Sequence, residues 1–419
     1  MLTRFPDHTM QRSPWTFASD RFLNPTRIWA LAIILVLCLW TACIVDFTTP
    51  GLFDRAGNIK FQDFLQFTIS ARLTRDGRAD QLYDDQILAR EIRATIGRDT
   101  QVFLQYFYGP QVPALFVPLS SFPFLIQAEI WVTLSLAIYF ACVYLIWKRC
   151  PSLQRYRVLV TICALAYPPL FHFCVRGQLS VLILIGVTAA YLAFAEQRDF
   201  LAGVALGFLV FKPQFLVGIF FVLLLARAWK TFAGLALSAG LQLALTAVYF
   251  RRSVMLAYLT RLVYSAGHPG STELPFSAIQ MHSVYSFWEV LIPWIPGVWV
   301  LYLLTAAAVI AVAARTWSSP SALNLRFSSL LFAAVLVNPH IYIYDLLALA
   351  PIFITLADWL LQNPQHLLQR RLGVLLYLGF LLPLFGPLAH WTHLQFSVAV
   401  FAAVLWTLWQ IQSSLRPAA

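Results

Sequence analysis

Twelve apolar runs, most of them near the length of one bilayer crossing, constrain this chain more than anything else in it. They lie at about 28–46, 128–147, 156–174, 178–195, 200–211, 214–227, 231–249, 298–314, 327–338, 341–360, 372–388 and 393–411. About 20 residues of helix cross a bilayer's hydrocarbon core. Lipid offers a bare backbone N–H or C=O no partner, so spanning segments fold as helices or closed barrels. These runs are too long and too uniformly apolar for the alternating strands of a barrel. Composition agrees: 60% of the residues are hydrophobic and 11% charged, where soluble domains carry about 25% charged residues. The expected fold class is an all-α polytopic membrane protein.

Charge placement sets the expected topology. Cytoplasmic loops are enriched in Lys and Arg. Arg4, Arg12, Arg21 and Arg27 precede the first run, and Lys148, Arg149, Arg155 and Arg157 lie between the second and third. Arg198, Arg227, Lys230, Arg315, Arg326, Arg370, Arg371 and Arg416 fall on the same side, whereas the opposite short loops hold only Arg176 and Lys212. Both termini are then cytoplasmic, and the long loops at about 47–127 and 250–297 face outside. The expected organisation is a cytoplasmic segment over 1–27, a membrane domain over 28–411 and a tail over 412–419, in the plasma (inner) membrane. Residues 200–228 leave an alternative: one long helix broken at Lys212-Pro213 would give eleven crossings instead of twelve. No cleaved signal peptide is expected, because the first apolar run starts near Ile28 and no small-x-small site follows it. Thr41-Ala42-Cys43 is a poor lipoprotein box, with Trp40 where Leu is expected. The six cysteines lie in or beside apolar runs, which implies no disulfide framework. The net charge of +11 fits cytoplasmic loops and anionic headgroups rather than nucleic acid.

The loop 47–127 holds most of the candidate chemistry, and half of the chain's acidic residues fall between Asp46 and Asp99. After Lys60-Phe-Gln-Asp-Phe64 comes a helical apolar stripe ending at Gly77, which is placed as a C-terminal cap. Asp63 then sits at the helix N-terminus, where the macrodipole favours a carboxylate ready to accept a proton. An ordinary N-cap is the competing reading. Asp46, at the mouth of the first span, is the second candidate acid. Phe103 to Pro110, with Pro113 and Pro118, reads as an aromatic segment lying on the membrane.

Three cations, His172, Arg176 and Lys212, fall near the outside ends of spans, where a phosphate is their natural partner and snorkelling to headgroups the alternative. Asn338-Pro339-His340 leads to Tyr342, Tyr344 and Asp345. An acid about one turn inside a span needs a partner or a wet cavity, and His340 could move protons near neutral pH. The outside loops contain no Asp-x-Asp pair, and the chain has no Walker loop, Gly-x-Ser-x-Gly or zinc-type spacing. No metal and no cofactor is expected.

These islands, in this order, resemble glycosyltransferase family 87. They are Asp63-Phe64, Gly77, Leu82-Tyr83-Asp84, the Tyr-Gly-Pro segment, Gly177-Gln178, Ala202-Gly203 with Lys212-Pro213, and Asn338-Pro339-His340 with Tyr344-Asp345. They cover roughly residues 60–360. The resemblance implies a GT-C-type fold and a mannosyltransferase-like enzyme that uses a polyprenyl-phosphate sugar as donor and a lipid or glycan as acceptor. It implies Asp63 as the base, ahead of Asp46, with His340 beside it in catalysis. Arg176, Lys212 and His172 would bind the donor phosphate, and Tyr83, Tyr108, Gln178, Tyr344 and Asp345 the substrates. Membrane lipids are the other expected partner. The stretch Thr48–Phe61 is long for the family, and in 250–297 only His282-Ser283 resembles its polar island. Two other classes stand beside this reading. One is a transporter or flippase for lipid-linked sugars. The other is an O-antigen polymerase or ligase, which would work through Arg251, Arg252, Arg261 and His268.

Overall fold

The computed structural model describes residues 24–97, 104–267 and 278–414. Arg4, Arg12, Arg21, Asp99, Phe103, His268 and Arg416 lie outside these residues.

Among the described residues the chain is helical, and its only strand-like pairs are two isolated bridges, Phe53 with Ile59 and Met281 with Tyr342. Helix α1 (Pro25–Phe47) is followed by three helices of the first long loop, α2 (Leu65–Arg75), α3 (Asp85–Ile96) and α4 (Gln111–Phe116). Then come α5 (Phe124–Trp147), α6 (Arg157–Leu165), α7 (Pro168–Arg176), α8 (Ser180–Ala195), α9 (Asp199–Gly207), α10 (Leu216–Leu225) and α11 (Trp229–Tyr249). The second long loop contains α12 (Arg252–Gly267) and α13 (Val284–Leu291). Helices α14 (Ile295–Trp317), α15 (Leu323–Val337), α16 (Ala350–Gln362), α17 (Gln369–Leu381), α18 (Ala389–Thr392) and α19 (Phe396–Ser414) complete the chain.

Seven helical stretches among the described residues are long and apolar enough to cross a membrane, and a bent pair makes an eighth. The chain is therefore a multi-pass, all-α membrane protein. The bent pair coincides with the apolar run at 156–174: its helices, ending at Leu165 and starting at Pro168, meet at 45°. Pro168 and Pro169 explain the bend. Proline supplies no N–H, and it pushes the residue before it out of the helical region; Tyr167 has φ −67° and ψ 112°. The runs near 178–195, 200–211, 214–227 and 327–338 form shorter apolar helices.

Glycine contacts fix the course of residues 200–228. A Cβ on Gly203 would lie 1.9 Å from the Thr231 carbonyl oxygen, one on Gly207 2.4 Å from that of Leu235, and one on Gly234 2.1 Å from that of Phe200. Advancing one turn along α9 thus advances one turn along α11, so the two helices run parallel and start at the same level. The chain between them must turn back, as a hairpin does, and the turn is at Lys212-Pro213. Gly203→Leu is expected to cost about 1–3 kcal/mol or more, read as a lower thermal unfolding midpoint in detergent. A wild-type midpoint would contradict the close crossing.

The first long loop packs as a layer over the bundle end. Buried Phe64, Phe67 and Phe116 pack at centroid distances of 5.3–6.0 Å, Phe64 edge-on to the other two, and Phe116 meets Trp131 of α5 at 5.0 Å. Gly77 closes α2 as expected: it has φ +71°, its N–H donates to Thr74, and Arg78 N–H donates to Leu73, the Schellman pattern. The stretch Thr48–Phe61 folds around Lys60, whose buried ammonium donates to the carbonyls of Phe47, Thr49 and Gly51. The aromatic segment at 104–110 does not lie flat on the membrane. Tyr106 and Tyr108 are buried, and Tyr108 packs edge-on against Phe67 at 5.1 Å.

Candidate active site

Asp63 lies on a short 3-10 turn, Gln62–Phe64, which the chain enters through Phe61 in the left-handed region at φ 52°. The N-cap reading is overturned: the cap positions are Phe61 and Phe64, and the Asp63 carboxyl bonds Gln178 instead of the helix N-terminus. Its backbone carbonyl accepts from Gln66 Nε2 at 3.0 Å. Its carboxylate accepts from Gln178 Nε2 at 2.7 Å on Oδ2, while Arg176 Nη1 stands 3.7 Å from Oδ1.

Gly177 brings these groups together. It terminates α7 with φ +69°, and a Cβ there would lie 2.8 Å from Phe64 Cβ. Only glycine combines that backbone with that approach. The turn directs Arg176 and Gln178 to Asp63, and Arg176, in the last turn of α7, is favoured by the helix dipole. Gln178 has no group to spare: its Oε1 accepts from Tyr108 Oη at 3.0 Å, and its backbone oxygen from Trp131 Nε1 at 2.9 Å. Tyr83 Oη in turn donates to the Tyr108 carbonyl at 2.9 Å.

A second cluster adjoins the first across the Tyr108 ring. Lys212 Nζ lies 5.9 Å from that ring's centroid and 5.7 Å from the ring of Tyr344, within reach of cation–π attraction. It pairs with Asp345 Oδ1 at 2.5 Å, and the two side chains are only 7% and 0% exposed. Ser180 Oγ donates to the same oxygen at 2.8 Å, and Tyr342 N–H to Oδ2 at 3.3 Å. Asp345 thus has its partners inside the protein.

His340 stands at the edge of this group. Its N–H donates to Asn338 Oδ1 at 2.9 Å, and its Nε2 lies 3.2 Å from Ser265 Oγ of α12. Burial pushes the imidazole down to about 4, so it is neutral around pH 7. His172, one turn before Arg176, packs edge-on against Phe171 and bonds to neither carboxylate. Asp46, in the last turn of α1, is outside the network, and its backbone carbonyl accepts from Thr49 Oγ1. Arg261 is occupied by Asp85 at 2.6 Å and by the Tyr83 carbonyl at 2.7 Å. His282 is buried, with Nδ1 2.7 Å from Ser397 Oγ. Trp131, Ser180 and Ser265 are members the sequence reading missed. Only Ser180, two residues past Gln178, carried a signal.

Two features define the chemistry. Burial raises the Asp63 carboxyl above the usual carboxylate range, opposed first by Arg176 and then by the Gln178 hydrogen bond. The Asp63 side chain is 14% exposed and that of Arg176 40%, so the pair is not sealed off. A carboxyl with one oxygen hydrogen-bonded by Gln178 and the other only loosely paired thus sits beside a half-exposed cation. Among the described residues, no group of three or more His, Cys, Asp or Glu side chains is placed to hold a metal ion.

The family model for glycosyltransferase family 87 matches residues 106–339, more than half of the chain. The match spans Tyr108, His172, Arg176, Gln178 and Lys212, starts after Asp63 and Tyr83, and ends one residue before His340. No curated protein and no solved structure matches the chain. The membrane-spanning helices and the family match agree: the chain belongs to glycosyltransferase family 87 and is a membrane glycosyltransferase.

Proposed function

We propose that the enzyme transfers a hexose, mannose first among candidates, from a polyprenyl-phosphate donor to a lipid or glycan acceptor, with Asp63 as general base. The reaction would take place at the outside face of the plasma membrane, with both chain termini cytoplasmic. The observation behind this reading is the pair itself: a partly exposed Asp63 carboxyl with the Arg176 guanidinium 3.7 Å away. Asp63 Oδ1 takes the proton from an acceptor hydroxyl. The hydroxyl oxygen attacks the anomeric carbon as the carbon–oxygen bond to phosphate breaks, and the electron pair leaves on the polyprenyl phosphate. Attack from the face opposite the leaving group inverts the anomeric centre.

Arg176 is the cation suited to the leaving phosphate, since it is half-exposed and only loosely paired, while Lys212 is committed to Asp345. A phosphate that draws Arg176 away from Asp63 removes the main influence lowering that carboxyl's pKa. Donor binding would therefore strengthen the base. His172, one turn before Arg176, would offer the phosphate a hydrogen bond rather than a charge. His340, neutral, would contribute a hydrogen bond rather than a proton relay. Tyr83, Tyr108 and Gln178 hold the base, and Tyr344 and Asp345 hold Lys212, so their influence on substrate is indirect.

The test is hexose transfer in membranes carrying the protein, supplied with either polyprenyl-phosphate hexose or nucleotide hexose. Transfer from the lipid donor is expected; direct use of the nucleotide sugar, with no lipid intermediate, would overturn the proposal. Arg176→Gln is expected to lower transfer about 10²-fold or more, as loss of a charge-stabilising donor does. It should also move the acid limb of the kcat/KM profile upward, because that limb reports the free enzyme, where Arg176 lowers the Asp63 pKa. A limb that stays in place or moves down would separate Arg176 from Asp63.

A further inference from the structure

Helix α12 has two faces with different partners. Its inner face packs on the first long loop. Tyr258 lies 5.8 Å from the Tyr83 ring, Arg261 holds Asp85 and the Tyr83 carbonyl, and Ser265 meets His340. Val254, Tyr258, Arg261 and Ser265 recur every three to four residues, the spacing of one helix face. The opposite face carries Leu256, Leu259 and Val263, which are 52%, 51% and 75% exposed.

Two observations identify what covers that face. The exposed apolar stripe does not start in α12. It continues from α11, where Leu237, Leu241, Leu245, Val248 and Tyr249 are exposed on a helix long and apolar enough to cross the membrane. Phe250, in an extended conformation, separates the two helices. At this junction stand Arg251 and Arg252, both exposed. Cations at a helix N-terminus oppose the macrodipole, so they favour a site with an external anion nearby. Acyl chains beside an apolar stripe and phosphates beside arginines at its start are what one bilayer leaflet supplies.

We propose that α12 is an interfacial helix seated in the leaflet on the side of the long loops. Leu256, Leu259 and Val263 contact acyl chains, and Arg251 and Arg252 contact phospholipid headgroups. The membrane then holds from outside the same helix that braces Tyr83, Asp85 and His340 from inside, which couples the order of the site to the bilayer. This does not depend on the identity of the sugar donor.

The test uses the full chain in nanodiscs of phosphatidylethanolamine and phosphatidylglycerol doped with a diazirine phospholipid, followed by peptide mass spectrometry. Label is expected at Leu256, Leu259 and Val263, as at Leu245, and absent from Val254 and Tyr258. Label at Leu245 with none in α12 would overturn the proposal. So would bismaleimide cross-linking of Leu259→Cys between two copies above the level given by wild-type Cys38, which would mark the face as a contact between chains. A Leu256→Ser/Leu259→Ser/Val263→Ser variant should lose the label and exchange α12 amides faster, whereas unchanged exchange would sever the link between the membrane and the site.

Discussion

Asp63→Asn is expected to lower hexose transfer by about 10²–10⁴-fold, the usual contribution of general-base catalysis. The substitution keeps the shape of the side chain and leaves an oxygen to accept from Gln178, so the local packing should survive. Stability should move the other way. Because burial raises the Asp63 carboxyl above its ordinary value, the folded protein holds that proton at pH values where the unfolded chain has lost it. Stability contributed by this group is fully present below the unfolded pKa and is lost as pH rises through the folded one. At neutral pH the ionised group therefore works against the fold, and removing it should leave the melting temperature equal or higher. Arg176, already 40% exposed, loses little when its loose partner goes. An inactive variant that melts no lower than wild type is the expected result. Full activity would remove Asp63 as the base, and inactivity with a much lower melting temperature would make its role structural.

The elements written into local sequence were legible, and those made by distant contacts were not. The apolar runs named the helices, and Gly77 named the end of α2, because hydrophobic periodicity and a left-handed cap are properties of a few neighbouring residues. The kink at Pro168-Pro169 was equally local, but a continuous apolar run masked it. Asp63 shows the limit. Capping is a local option, and the competing partner is Gln178, which a turn at Gly177 delivers from 115 positions away. The aromatic segment around Tyr106 and Tyr108 failed for a related reason: aromatics with prolines suit either a membrane interface or a buried strut. The choice was made by Phe67, Tyr83 and Gln178, not by the segment itself. Lys212 was recognisable as an expensive cation, but its partner is 133 positions away.

Lys212→Met is expected to cost about 3–5 kcal/mol, the range for breaking a buried ion pair from one side. Asp345, 0% exposed, would face a thioether instead of an ammonium. Its other donors, Ser180 Oγ and Tyr342 N–H, stay in place but cannot neutralise a charge. The double variant Lys212→Met/Asp345→Asn removes both charges and keeps an oxygen for those donors, so it should recover most of the lost stability. Measured together, the wild type, both single variants and the double variant give the coupling between the two residues, read from unfolding in detergent. The same set divides the functional question. If Lys212 only fixes Asp345 and the Tyr344 ring, the double variant should regain transfer along with stability. A double variant as stable as wild type but inactive would mean that the ammonium itself acts on the donor phosphate. In that case donor binding must open the Lys212–Asp345 pair.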